Sequence, residues 1–404
     1  MLPKTWHRST LGEIARISSG GTPDRGAAEY WGGDVPWVTT GEIQFNIITD
    51  TSEKITTKGL RDSSAKLFPP GTLLMAMYGQ GKTRGQVAKL GIEAATNQAC
   101  AAILLNEKND PDFYFQYLSS QYDELRELGN AGTQKNLSGG ILKCVAVPVP
   151  PYQEQCRIAR ILSTWDQAIV TTERLLTNSK RKVDALLQQL VIKPATRGEW
   201  PMAPIGEISE RVQRRANEGE ELPVLMISSG NGFVRQDEKY SRFMAGKSVE
   251  NYIALDRGEF AYNKGNSKLY EFGCVFPLRS HERGLVPHVY VCFKLSASQH
   301  AGFYEHLFRA DYLHDQLGAL VNTGVRNNGL LNIRPGDFLT CKVPVPPLEE
   351  QQHIAEVLST ASTWVEKQAH DLDLLKQEKA ALMSQLLTGK RRVKLPEAET
   401  VAQT

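Results

Sequence analysis

The sequence predicts mixed α/β modules in two tandem copies, each followed by a long helix, with the two helices paired as an antiparallel coiled coil about an internal pseudo-two-fold axis. Three observations predict it. The segment Val147 to Thr164, VPVPPYQEQCRIARILST, returns without a gap as Val343 to Thr360, VPVPPLEEQQHIAEVLST, 196 residues later. Trp6 followed by Leu11-Gly12-Glu13-Ile14 returns as Trp200 followed by Ile205-Gly206-Glu207-Ile208. Beyond each VPVPP block, apolar residues recur in alternating steps of four and three, the spacing of a coiled-coil seam.

The repeat sets the boundaries. A first module covers 1–147, and a helical region covers 148–197 with its long helix at about 152–193. A second module covers 198–343, a second helical region covers 344–392 with its helix at about 349–389, and 393–404 form a flexible tail. Within the modules, short apolar runs such as Thr72–Met77 and Val286–Leu295 are broken by Gly and Pro and read as strands. Phe113–Leu128 and Phe303–Val321 carry apolar residues at three and four spacing and read as helices.

Pro150-Pro151 and Pro346-Pro347 mark where the long helices start, because a proline at the first helical position loses no hydrogen bond. Glu154, Glu349 and Glu350 fall in the first turns, where the helix dipole favours carboxylates. The first seam runs through Ile158, Leu162, Trp165, Ile169, Thr172, Leu176, Ser179, Val183, Leu186 and Leu190. The second, in the same register, runs through Ile354, Leu358, Ala361, Val365, Gln368, Leu372, Leu375, Lys379, Leu382 and Leu386. At ~1.5 Å per residue each helix is ~60 Å long. Because the second module must begin where the first helix ends, the pairing is expected to be antiparallel, with the modules at opposite ends. Two similar heads on such a spacer suit a ligand with two similar parts at a fixed distance, and duplex DNA is one. An antiparallel hairpin that serves only as a dimer handle or scaffold is the plainer alternative.

Bulk composition bounds the function. With 41% hydrophobic and 23% charged residues, the 404-residue chain has material for at least two cores. A formal net charge of +2 means that any nucleic-acid affinity must come from local basic surfaces. Cys100, Cys144, Cys156, Cys274, Cys292 and Cys341 form no C-x-x-C pair, so neither a disulfide framework nor a zinc site is expected, and reduced thiols in a cytosol are. Lys4, His7, Arg8, Glu13 and Arg16 interrupt any apolar leader, and no stretch approaches ~20 apolar residues, so a cytoplasmic protein without membrane spans is expected.

The residues also resemble a known family, the specificity subunits of type I restriction-modification systems. The resemblance rests on the two V-P-V-P-P-x-x-E-Q blocks (Val147 to Gln155, Val343 to Gln351) and the I-A-x-x-L after each. It rests also on an opening of Gly20-Gly21-Thr22-Pro23, Glu29-Tyr30-Trp31-Gly32-Gly33 and Val35-Pro36-Trp37. It implies two target-recognition domains, each reading one half of a bipartite asymmetric DNA site, with the helices setting the spacer. It further implies docking of methyltransferase subunits, two of them, on the helices, and endonuclease/translocase subunits that complete the enzyme. The subunit itself would be noncatalytic and without a cofactor, and the partner methyltransferase would use S-adenosylmethionine for adenine methylation. The second module departs from the pattern: it lacks the GGTP opening and reads Leu222-Pro223-Val224-Leu225-Met226-Ile227-Ser228-Ser229-Gly230, so the half-sites should differ.

Two motifs suggest chemistry. Ala76-Met-Tyr-Gly-Gln-Gly81-Lys82-Thr83 fits a relaxed phosphate loop, which makes an NTPase the rival reading; such a loop should open a helix, and Arg84-Gly85 is a poor start. Val149-Pro-Pro-Tyr152 resembles the N-P-P-Y box of amino-methyltransferases, yet valine cannot hold the target amine. Base readout favours Arg, Lys, Asn and Gln, which can bond one base edge twice. The modules gather these in Gly-rich loops. The first has Gln80, Lys82, Arg84, Asn97, Gln98, Gln134, Lys135 and Asn136; the second has Asn263, Lys264, Asn266, Lys268, Arg326, Asn327 and Asn328. Lys180, Arg181 and Lys182 read as a solvated helix face, and Lys390-Arg391-Arg392 as a frayed basic end, with contact to DNA backbone or a partner the alternative for each.

Overall fold

The computed structural model describes residues 2–79, 81–128, 136–239, 250–265, 267–321 and 331–394. The chain divides into two units, Met1–Glu173 with Asp371–Thr404, and Arg174–His370. Each unit thus holds one head, the start of the long helix that follows it, and the end of the other long helix.

The first long helix is Tyr152–Leu187, continued by a π-helical turn at Gln188–Ile192 and a short helix at Lys193–Thr196; the second is Leu348–Leu386. Along both, every seam position is buried or half-buried, and most of the residues between them face solvent. In the first unit Asp166 receives Lys379 at 2.6 Å and Glu173 receives Lys376 at 2.8 Å, so numbers rise on one helix as they fall on the other, and the pairing is antiparallel. In the second unit Leu186, Leu187 and Leu190 from the end of the first helix pack in one core with Ile354 and Leu358 from the start of the second. There Ala361 occupies the seam position that Trp165 fills in the first unit, and an open groove of about 1000 Å³ lies beside it, lined by Val183, Leu186, Val357, Ala361 and Trp364.

Both heads are built on one frame. The first and last strands of each pair antiparallel: His7–Thr10 with Ala146–Val149, and Met202–Pro204 with Lys342–Pro344. A continuous apolar run makes Leu73–Ala76 a strand buried on both faces. It lies in the order Ala15–Ser19, Cys100–Leu105, Leu73–Ala76, Val87–Leu90, Ile47–Ile48. The second head repeats the first four places as Ser209–Arg211, Val291–Leu295, Phe260–Asn263, Cys274–Pro277. Beyond that frame the heads part. The first adds a sheet of Glu53–Ile55, Trp31–Val38, Ala94–Thr96 and Leu67–Phe68; the second adds two ribbons, Leu225–Ser228 with Gly232–Arg235 and Ile253–Asp256 with Arg283–Val286.

The helices expected at Phe113–Leu128 and Phe303–Val321 each break in two. The first splits into Pro111–Ser120 and Tyr122–Glu127; the second splits into Ala301–Arg309 and His314–Leu320, with Asp311 between them in the left-handed region at φ 54°. Among the described residues no helix is long and apolar enough to cross a membrane. Burial pushes the Cys100, Cys274 and Cys292 thiols up to about 12, which leaves them unreactive packing groups.

A repeated polar lock joins each head to its helix. The Trp6 indole N–H donates to Glu154 Oε2 at 2.9 Å, and the Trp200 indole N–H donates to Glu350 Oε2 at 3.1 Å. Gln155 accepts the Asp110 amide at 2.8 Å and donates to the Pro150 carbonyl at 2.9 Å; Gln351 accepts the His300 amide at 2.8 Å and donates to the Pro346 carbonyl at 2.8 Å. Tyr114 and Tyr304 donate to the carbonyls of Pro148 and Pro344. The E-Q of the repeated block is therefore a folding device. Among the described residues, the first unit alone adds a cation to this lock, Arg392, which donates through two nitrogens to Glu154, at 2.6 and 2.8 Å. Lys390-Arg391-Arg392 is not a frayed end, because a buried carboxylate holds its last member.

Truncating either glutamine strands an amide and a carbonyl in a dry site, so Gln155→Ala and Gln351→Ala are each expected to cost about 2–3 kcal/mol in urea unfolding, against under about 0.5 for exposed Glu349→Ala. A second expectation concerns acid. His306 is buried and its ring bonds the Ser359 hydroxyl at 3.0 Å, and burial holds its pKa below the ordinary 6.5. Below that pH the unfolded chain takes up a proton that the folded one resists, so this stabilisation is full above pH 6.5 and falls as acid is added. His306→Gln, the residue found at the equivalent Gln116, should flatten the calorimetric pH dependence; an unchanged slope would refute the assignment.

Candidate nucleic-acid interface

Among the described residues, the candidate segments of the first head converge on one backbone position, Met77. Strands Leu73–Ala76 and Val87–Leu90 form an antiparallel hairpin, and Met77 opens its loop. The Met77 amide donates to the Ala99 carbonyl at 2.9 Å, which brings the Asn97–Gln98 turn against the hairpin. The Met77 carbonyl accepts the Leu137 amide at 3.0 Å, so Asn136 lies where the chain returns to the same root. The second head does likewise: Phe260–Asn263 and Cys274–Pro277 form the equivalent hairpin, and the Lys264 carbonyl accepts the Leu331 amide at 3.1 Å. Candidates picked separately in two dissimilar loops thus fall on equivalent hairpins.

The side chains differ in availability. Lys82 and Lys268 are exposed, whereas Arg84, Asn263 and Lys264 are half-buried. The Arg84 guanidinium donates to the Arg126 carbonyl at 3.3 Å, and Asn263 Oδ1 accepts the Gly265 amide at 3.0 Å. Asn97 Oδ1 caps its own turn at the Ala99 amide, 3.1 Å away, and Gln98 accepts the Thr22 hydroxyl at 2.5 Å, so both also hold the fold. Gln80, Gln134, Lys135, Asn266, Arg326, Asn327 and Asn328 lie outside the described residues. Lys180, Arg181 and Lys182 are exposed on the first long helix. Sequence reasoning missed Tyr78 and Leu269, large apolar side chains left 43% and 65% exposed on the two hairpin loops. Their exposure has no local sequence signal.

The rival readings fail on geometry. Gly81-Lys82-Thr83 is a turn that leads into strand Val87–Leu90, so no helix N-terminus stands behind it to receive a phosphate. Gly79, Gly81 and Gly85 have φ of 138°, 82° and 84°, which explains the glycines as hairpin residues. Val149-Pro-Pro-Tyr152 is the end of a strand and the start of a helix, with the Pro148 and Pro150 carbonyls already bonded to Tyr114 and Gln155.

The GGTP…EYWGG…PW opening is also internal. A Cβ on Gly20 would stand 1.9 Å from the Thr96 carbonyl oxygen, and one on Gly33 would stand 2.5 Å from Thr56 Cα. The Trp37 and Trp31 indoles donate to the carbonyls of Gly21 and Asp24, each at 3.0 Å, and Arg25 lies over both rings, at 4.9 and 3.9 Å. These residues hold the second sheet of the first head.

A family model described as type I restriction modification DNA specificity domain matches residues 3–178. The whole chain is similar to the MjaIX specificity subunit of Methanocaldococcus jannaschii, 22% identical over 97% of this chain and 95% of that one. It is also similar to the MjaVIII specificity subunit of the same organism, 23% identical over 97% and 94%. The fold is that of a type I restriction-modification S subunit from M. genitalium, with a TM-score of 0.60, 15% identity and 97% of each chain covered. The resemblance drawn from VPVPP, E-Q and the GGTP opening therefore holds over the full length. Residues 3–178 thus match a DNA specificity domain, and the likeness to type I specificity subunits spans nearly the whole chain.

Because the Gly81-Lys82-Thr83 turn has no helix behind it, calorimetric titration with ATP and magnesium is expected to show no saturable binding. Micromolar binding abolished by Lys82→Ala would overturn the hairpin reading.

Proposed function

We propose that each head reads one half of a bipartite, asymmetric duplex DNA site, that the two long helices set the gap between the halves, and that two methyltransferase subunits dock on those helices. Endonuclease/translocase subunits would complete the enzyme, and the methyltransferase partners would bind S-adenosylmethionine and modify adenine. The observation that carries the reading is the convergence of polar loops on equivalent hairpins, rooted at Met77 and Lys264, in heads that otherwise differ. A shared frame with unlike loops is what two unlike half-sites require. The open groove beside Ala361, with Trp364 55% exposed, supports a protein partner on the helices, since large exposed aromatics are favoured anchors. Lys82 and Lys268, exposed on the two loops, suit phosphate contacts, which position a reader without specifying bases.

Exchange of residues 1–147 for a divergent head should change one half-site in the methylation pattern of host DNA and leave the other; a change in both would contradict independent heads. Lys82→Ala should weaken binding across all sequences and lower the salt slope by about one. Spacing is tested by inserting one heptad in each helix at facing points, between Glu173 and Arg174 and between Leu375 and Lys376. At ~1.5 Å per residue and ~3.4 Å per base pair, the permitted gap should lengthen by about three base pairs.

A further inference from the structure

The structure assigns to Tyr122 and Arg126 the role of positioning residues that fix the hairpin loop of the first head, and this inference rests on the reading of that loop as a DNA-contacting element. Both side chains come from the short helix Tyr122–Glu127, and neither was among the residues singled out in the sequence. Arg126 Nη2 donates to the Gly81 carbonyl at 2.6 Å, and Nη1 donates to the Tyr122 hydroxyl at 2.7 Å. That hydroxyl donates in turn to the Lys82 carbonyl. The loop answers with Arg84, whose guanidinium donates to the Arg126 carbonyl at 3.3 Å. The clamp is therefore reciprocal: helix side chains hold loop carbonyls, and a loop side chain holds a helix carbonyl.

The loop needs such a clamp. With glycines at 79, 81 and 85 in left-handed backbone, it has far more freedom before folding than a loop of ordinary residues. A Cβ added at Gly85 would lie 3.1 Å from Arg126 Cγ, so the helix and the loop root are already in close contact. Tyr122 is braced from its other side by Phe45, edge-on at 5.2 Å, itself exposed and in left-handed backbone at φ 55°. The guanidinium of Arg126 lies 5.2 Å from the Tyr122 ring centroid and gives one donor from each terminal nitrogen to the protein, which is the arrangement of a group that holds the loop.

The second head holds its hairpin differently. Tyr270, from within the loop, donates to the Arg309 carbonyl at 3.2 Å, and Phe272 packs on His314 at 4.9 Å. Loss of the Tyr122–Arg126 clamp should therefore be felt at one half-site only. A fixed loop rejects a wrong base because its donors cannot move to suit it; a loosened loop keeps its charge, and so its attraction to phosphate, but loses that discrimination.

The test uses the full-length chain assembled with its methyltransferase subunits, competing a duplex carrying the methylated site against duplexes altered at one base in either half. Arg126→Ala and Tyr122→Phe, which keeps the ring but removes the hydroxyl, should each lower discrimination at the first half-site by about tenfold, within the range one base pair commands. Discrimination at the second half-site and binding to DNA without the site should stay within about twofold, and Arg126→Lys should restore part of the loss. Unchanged discrimination in Tyr122→Phe and Arg126→Ala, or an equal fall for specific and nonspecific DNA, would falsify the positioning role. Should Arg126→Ala fail to fold, Tyr122→Phe decides. Lys82→Ala run in parallel separates the two layers: if it leaves all DNA binding intact, the loop does not face DNA and both readings fall. If it weakens binding while both clamp variants discriminate as the native chain does, only the clamp falls.

Discussion

Each head is a long excursion of the chain that must begin and end at the start of the same helix, and one buried glutamine side chain holds that junction. Gln155 and Gln351 are inaccessible to solvent, and each ties an amide of its own head to the carbonyl of the proline that precedes its helix. Around them the tryptophan at the head's beginning bonds the neighbouring glutamate, and a tyrosine from the head's helix bonds the strand that leads out. A buried amide can be retained only where its donors and acceptors are met, and once met it admits one geometry. The head is thereby fixed in orientation on its helix by polar groups that tolerate no slippage. The rest of the frame, from the paired terminal strands to the shared sheet, builds outward from that point.

Legibility in the sequence followed the range of the interactions. The seam was readable because a coiled coil writes its contacts at a local period, and each of the alternating four and three steps from Ile158 to Leu190 and from Ile354 to Leu386 lands on a buried or half-buried position. The heads were not readable in detail, because their strands pair across long stretches of chain, as Ala15–Ser19 does with Cys100–Leu105. Helix breaks at Gln121 and Asp311 escaped for a related reason: apolar spacing continues through both, and only the packing shows where the axis turns. Arg392 looked like a frayed basic tail because its partner, Glu154, is 238 positions away.

The candidate site shows the same division. Composition singled out Gln80 to Arg84 and Asn263 to Lys268 as polar, Gly-rich stretches, but it could not say that Lys82 and Lys268 lie on equivalent hairpins, which is a fact about sheet order. The Gly-Lys-Thr string, taken alone, is as compatible with a phosphate loop as with a turn. The strand at Val87–Leu90 decides it. The GGTP…EYWGG…PW opening carried the family resemblance while concealing its own purpose, which is to let backbone approach backbone at Gly20 and Gly33 and to anchor two indoles on carbonyls.

A pinned frame and freely varied loops answer opposite physical demands. On the proposed reading, recognition of a new base would call for different side chains at the hairpin, and a loop that moved its own scaffold would disturb the contacts already in place. Placing the repeated polar lock at Gln155 and Gln351, away from the hairpin roots at Met77 and Lys264, lets the two vary independently. Each head then needs only a local device to stiffen its own loop. The two devices seen, a helix-borne Tyr122–Arg126 clamp in one head and a loop-borne Tyr270 in the other, are unlike solutions to that one local requirement. The unlike second layers, a four-stranded sheet in one head and two ribbons in the other, are tolerated on the same grounds, since neither carries the junction to the helix.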